Sequence, residues 1–80
     1  MDKLYRVVII DDDEFSADNL CLELKKYNRL SIDGMARNGA NGRKLLEKVH
    51  PDLLFLDVEL PDMKGVTLWS VASQISGPVV

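Results

Sequence analysis

Asp11, Asp12, Asp13 and Glu14 stand in a row directly after the apolar run Val7–Ile10, and Asp57 falls near the end of a second apolar run, "DLLFLDV". Carboxylates a few ångströms apart repel, which raises the pKa of at least one unless a cation or hydrogen-bond donors intervene. No basic residue adjoins these acids in the sequence. If Asp11, Asp12 and Asp57 converge, they form a hard-oxygen pocket suited to magnesium, with manganese as a substitute. Exposed loop acids without a ligand are the bland alternative, and convergence depends on the elements that carry them.

Those elements alternate in type. Val7, Val8, Ile9 and Ile10 read as a strand buried on both faces. In "DEFSADNLCLELKKY", Ala17, Leu20, Cys21 and Leu24 recur at helical spacing. Asp13 is placed to cap this helix, with Lys25 and Lys26 in its last turn. "SIDGMAR" (31–37) reads as an edge strand with Ile32 and Ala36 on one side. A helix over 41–49 buries Leu45, Leu46 and Val49 and ends before Pro51. Residues 52–58 form the second strongly apolar strand, and "ELPDMKG" a loop. A third helix over 66–75 turns Val66, Trp69, Ala72 and Ile75 inward. "SGP" breaks it, and "VV" opens a fourth strand.

This alternation predicts an α/β fold: a three-layer, doubly wound parallel sheet joined by right-handed crossovers. The two apolar strands belong at the centre and the alternating one at the edge, giving the order 2-1-3. A switch point then lies between strands 1 and 3, and open α/β sheets place their sites beyond the strands' carboxyl ends there. Asp11, Asp12 and Asp57 occupy that end of strands ~4.8 Å apart. Asp52 starts strand 3, ~16 Å away along it, and reads as structural. Asp18, Glu23 and Glu47 read as surface charge, and His50 as a loop histidine with no second His or Cys for zinc.

Composition narrows the function classes. Eighty residues allow one small domain, and 46% hydrophobic with 29% charged content describes a globular chain. A net charge of -3 and a pI near 4.9 argue against direct nucleic-acid contact by this segment. No apolar stretch approaches the ~20 residues of a membrane span, and Cys21, the single cysteine, excludes an internal disulfide. The expected location is cytoplasmic.

"VVIIDDDEFSADNL" and "DLLFLDVELPDMKG" resemble the receiver domain of two-component response regulators, typified by the chemotaxis regulator. The likeness covers the acid doublet, the apolar strand ending in Asp, the Leu-Pro-x-Met-x-Gly turn and the 45 residues separating Asp12 from Asp57. It implies that Asp57 is the phosphoacceptor, charged by a sensor histidine kinase or phosphotransfer protein. It further implies that Asp12 and Asp57 bind Mg²⁺ directly, Asp11 through water, and Glu59 through its backbone carbonyl. The triple Asp admits a register of 11–12 or 12–13; the first leaves Asp13 free to cap.

Receivers have about 120 residues, a switching Ser or Thr after strand 4 and a Lys after strand 5. On that comparison residues 1–80 are expected to form a partial receiver: three strands, three helices and the start of strand 4. Phosphorylation and switching are then expected to be impaired. An open sheet edge, with Phe15 and Leu22 as a second apolar line on helix 1, leads to an expectation of self-association. An output domain, such as one controlling transcription, would lie elsewhere. Two alternatives differ in class. An interaction-only module would keep its partner without Asp57. An aspartyl-nucleophile phosphatase of the haloacid-dehalogenase type would want Asp and Thr where the chain has Glu59 and Pro61.

Overall fold

The run Val7–Ile10 is a strand excluded from water on both faces. In a computed structural model, which describes residues 3–80, it lies within β1 (Tyr5–Ile10), and all four of its side chains are buried. Alternation sends Val8 and Ile10 to one face and Val7 and Ile9 to the other. Each such burial stabilises by roughly 1.5–3 kcal/mol, which holds the strand at the centre of the sheet. Its neighbours, β2 (Leu30–Ala36) and β3 (Leu53–Leu56), both run parallel to it, in the order β2-β1-β3. The predicted α/β class and strand order are therefore those of the chain. At "VV", where the sequence predicts the opening of a fourth strand, Val79 makes an isolated parallel bridge to Leu54, and the Val80 N–H donates to the Leu54 carbonyl at 2.7 Å.

Helices cover both faces. On one side α1 (Glu14–Leu24) lays Ala17, Leu20, Cys21 and Leu24 over Val7 and Ile9. On the other, α2 (Gly39–Val49) and α3 (Gly65–Ile75) bring Leu46, Leu68 and Ala72 onto Val8, Ile10 and Leu54. Gly42 permits the close approach of α2, since a Cβ there would meet Ile10 Cδ1 at 2.8 Å.

Several local expectations change. Ile32 and Ala36 lie on opposite faces of β2, because the register with β1 slips between Val7↔Ile32 and Val8↔Gly34. Asp33 is the extra residue of that bulge, and one added residue inverts the alternation beyond it. Trp69 is 49% exposed rather than inward; Leu68 and Ala72 take the core positions of α3. The Val66 side chain lies outside the described residues. Helix α1 ends at Leu24, so Lys25 is its C-cap and Lys26 follows it. Helix α2 starts two residues early, at Gly39, capped by Asn38, and His50 closes it in the left-handed conformation at φ 52°. Strand β3 is shorter than its apolar run, which leaves Asp57 just beyond it.

Candidate functional site

Backbone hydrogen bonds carry the sheet one residue past its strands and so set the acids side by side. The Asp11 N–H donates to the Ala36 carbonyl at 3.0 Å, and the Asp57 N–H to the Ile10 carbonyl at 2.9 Å. Asp57 thus sits against the last residue of β1, and Asp11 is the next residue along. One ligand oxygen each from Asp11, Asp12 and Asp57 can be chosen so that all three lie within 4.8 Å of one another. Asp11 and Asp57 are half-buried and Asp12 is exposed. A cleft of about 390 Å³ opens beside them, lined by Asp11, Asp13, Ser16, Leu20, Phe55 and Asp57 among others.

Asp13 is turned out of this group. Its carboxylate accepts the Phe15 N–H at 3.0 Å and the Ser16 hydroxyl at 3.0 Å, capping α1. These bonds, the Ser16 hydroxyl first, hold its pKa below the usual carboxylate value. Asp11 and Asp12 therefore lie with Asp57, while Asp13 is engaged by the helix. Asp11 behaves oppositely. Burial is the largest influence and raises its pKa, and the Asp57 and Asp12 charges add to it. The Asp13 N–H, donating to Asp11 at 2.9 Å, opposes that rise without cancelling it. The nearby ion pair falls on another acid: Arg37 bridges Glu14 at 3.0 Å. What remains is concentrated negative charge in oxygen ligands only, a donor set that fits Mg²⁺.

The loop after β3 forms one wall. The Glu59 N–H donates to the Asp57 carboxylate at 3.1 Å, and Glu59 pairs antiparallel with Lys64. The Gly65 N–H returns to the Val58 carbonyl at 2.7 Å. Gly65 has to be glycine here, because a Cβ would stand 2.6 Å from Val58 Cα and collide with the Asp57 carbonyl.

Other acids stay apart. Asp52 occupies the opposite end of β3, accepting the Arg6 N–H at 2.8 Å, while Glu23 and Glu47 pair with Lys26 and Arg43 on exposed helix surfaces. Lys64 is exposed and stands at the N-cap of α3. Sequence reasoning missed Asp62, whose carboxylate reaches the N-terminus of α2. No spacing signal marks it, because its partners lie 22 and 23 residues away across the fold.

A profile of the response regulator receiver domain matches residues 7–79. The chain belongs to that family. An uncharacterized response regulatory protein of Vibrio cholerae is 30% identical over 73 residues, covering 91% of this chain and 31% of that protein. A protein-glutamate methylesterase/protein-glutamine glutaminase of Oleidesulfovibrio alaskensis is 35% identical over 78 residues, 96% of this chain and 21% of the relative. Among solved structures, the response regulator domain of Thermotoga maritima CheB superposes with a TM-score of 0.89 at 20% identity, covering 96% of this chain and 58% of that one. The receiver domain of the putative regulator NarL from Mycobacterium tuberculosis gives 0.87 at 24% identity, covering 96% and 64%. This receiver chain thus spans less than a third of the length of these curated relatives. Membership sets aside the haloacid-dehalogenase comparison, which already lacked its second Asp and its Thr at Glu59 and Pro61.

Proposed function

We propose that this chain is the phosphoacceptor module of a two-component response regulator, with Asp57 as the acceptor. The observation that carries the reading is the convergence of Asp11, Asp12 and Asp57 at the switch point of a receiver sheet. An Asp57 carboxylate oxygen attacks phosphorus, the P–N bond to a donor imidazole breaks, and the leaving imidazole takes up a proton. Two anions must approach for this to happen. Asp12, Asp57 and the Glu59 carbonyl, with Asp11 through water, would hold Mg²⁺, which would supply positive charge to offset the anions' repulsion. The protein's own part is to fix the acids. The Ile10 and Ala36 carbonyls pin the backbones of Asp57 and Asp11, and the Glu59 N–H orients one Asp57 oxygen.

The donor is a sensor histidine kinase or a phosphotransfer protein, the setting is cytoplasmic, and the module acts as a switch for an output domain rather than as an enzyme with a turnover of its own. Residues 1–80 form part of a receiver by this reading. A groove of about 540 Å³ beside β3, lined in part by Leu56, Val58, Trp69, Val79 and Val80, exposes apolar surface. It is the surface through which we expect self-association, which sedimentation tests.

Acetyl phosphate with Mg²⁺ tests the acceptor. Label should enter the chain and be absent from Asp57→Asn. A Mg²⁺ titration followed by Trp69 fluorescence should saturate in the wild type and weaken strongly on Asp12→Ala. No metal response together with no label removes the proposal.

A further inference from the structure

The N-terminus of α2 is capped from two places. A helix opens with backbone N–H groups that lack an intrahelical partner. Here the Asn38 side chain accepts the third, Asn41, at 2.8 Å. The first two, Gly39 and Ala40, donate instead to the Asp62 carboxylate, at 2.6 and 2.9 Å. Asp62 belongs to the loop that follows the acceptor Asp57. The same loop touches the helix a second time: a Cβ at Gly39 would run into the Met63 side chain, so the missing side chain makes room for Met63. Within the loop, the Leu60 N–H donates to the Met63 carbonyl at 3.2 Å and Glu59 pairs with Lys64, so displacement at Asp62 is passed along to Glu59.

We infer that Asp62 is a positioning residue: by supplying the outer half of the α2 cap it ties the loop after β3 to α2 and holds the Glu59 backbone beside the acidic pocket. An exposed carboxylate that only capped a helix locally would belong to that helix or to the residue before it, where Asn38 already stands. Asp62 adds a link between two elements that the chain order separates. Two N–H donors to two carboxylate oxygens also make the link directional, because an amide in the same place offers a single acceptor oxygen. The consequence for metal affinity rests on the reading of the pocket given above; the tether itself does not.

Asp62→Ala and Asn38→Ala separate the two roles, since each removes cap bonds from the same helix and only the first lies in the loop. In metal-free amide exchange, Asp62→Ala should speed exchange at Gly39 and Ala40 and also at Glu59 and Gly65. Asn38→Ala should speed it at Asn41 and leave the loop unchanged, with Asp62→Asn intermediate between wild type and Asp62→Ala. In Mg²⁺ titrations Asp62→Ala should raise the dissociation constant about tenfold, as loss of an outer positioning partner does at metal sites, while Asn38→Ala leaves it unchanged. Unaltered exchange at Glu59 and Gly65 in Asp62→Ala overturns the tether. A loosened loop with wild-type Mg²⁺ affinity overturns the positioning role. A wild-type chain that ignores Mg²⁺ removes the metal reading and that role with it, leaving exchange to decide the tether.

Discussion

Strand β3 carries an aspartate just beyond each end, and the two live in opposite surroundings. At the entry end, the Asp52 carboxylate accepts the Arg6 N–H at 2.8 Å, its own N–H donates to the Arg6 carbonyl, and the Arg6 guanidinium donates to the Val49 carbonyl. At the exit end, Asp57 faces Asp11 and Asp12. Residue type and strand are the same, so position in the sheet makes the difference. In a parallel sheet the loops at the exit end diverge at the switch point between β1 and β3, which leaves a cleft and unpaired charge. The loops at the entry end close over one another. One end is closed by hydrogen bonds, and the other keeps like charges together, a repulsion that a bound cation would relieve.

The largest test is steric and uses a glycine at each end. A Cβ on Gly77 would collide with the Asp52 carbonyl, as one on Gly65 would with the Asp57 carbonyl. Gly77→Ala and Gly65→Ala should each lower stability by about 3 kcal/mol in urea unfolding, the upper range for overpacking against backbone. Only Gly65→Ala should also change the Mg²⁺ response. Equal Mg²⁺ behaviour in the two variants would erase the contrast between the ends. Charge removal gives a smaller effect with opposite signs. Asp52→Ala loses a charged acceptor and should cost about 1 kcal/mol. Asp57→Ala relieves repulsion and should raise metal-free stability by about 0.5 kcal/mol. Mg²⁺ reverses that ranking by stabilising the wild type and not the variant. Destabilisation by both substitutions in the absence of metal would show that the exit end is not strained by its charge.

The same contrast explains what the sequence made legible. Val7–Ile10 is apolar without alternation and wholly buried, which marks β1 as the central strand, and the second apolar run, Leu53–Leu56, lies beside it in the 2-1-3 order that brings Asp11, Asp12 and Asp57 together. Asp13 was recognisable as a cap because its partners, Phe15 and Ser16, are neighbours in the chain. The bulge at Asp33 was not legible, since β2 is half-exposed and its pattern does not punish a slipped register. Trp69 misled because it shares helical spacing with Val66, Ala72 and Ile75, yet it is exposed. Leu68, one position earlier on α3, takes the core place instead. Asp62 stayed hidden because both its partners are backbone groups, which leave no trace in residue types.

The smallest expected effect is in pH dependence, because Asp11 is only half-buried and water screens its neighbours. Burial, with the Asp57 and Asp12 charges beside it, makes its carboxyl hold its proton above the ordinary value of 3.8. Between that value and the folded one, the native chain binds more proton than the unfolded chain, so stability falls as pH rises through the window. Asp62 and Asp13 lie below 3.8, held there by the Gly39 and Ala40 N–H groups and by Ser16 and Phe15. Their contribution is complete above 3.8 and is lost as pH falls through their folded values. Metal-free unfolding should therefore show stability rising as pH drops into the Asp11 window and falling below it. Asp11→Asn should abolish the rise and keep the fall, whereas Asp62→Ala should keep the rise and blunt the fall. Saturating Mg²⁺ should act like Asp11→Asn above 3.8, since a bound cation takes over the role of the proton. A steady loss of stability from neutrality downward, the same with and without Mg²⁺, would mean that the exit end of β3 is as well balanced as the entry end.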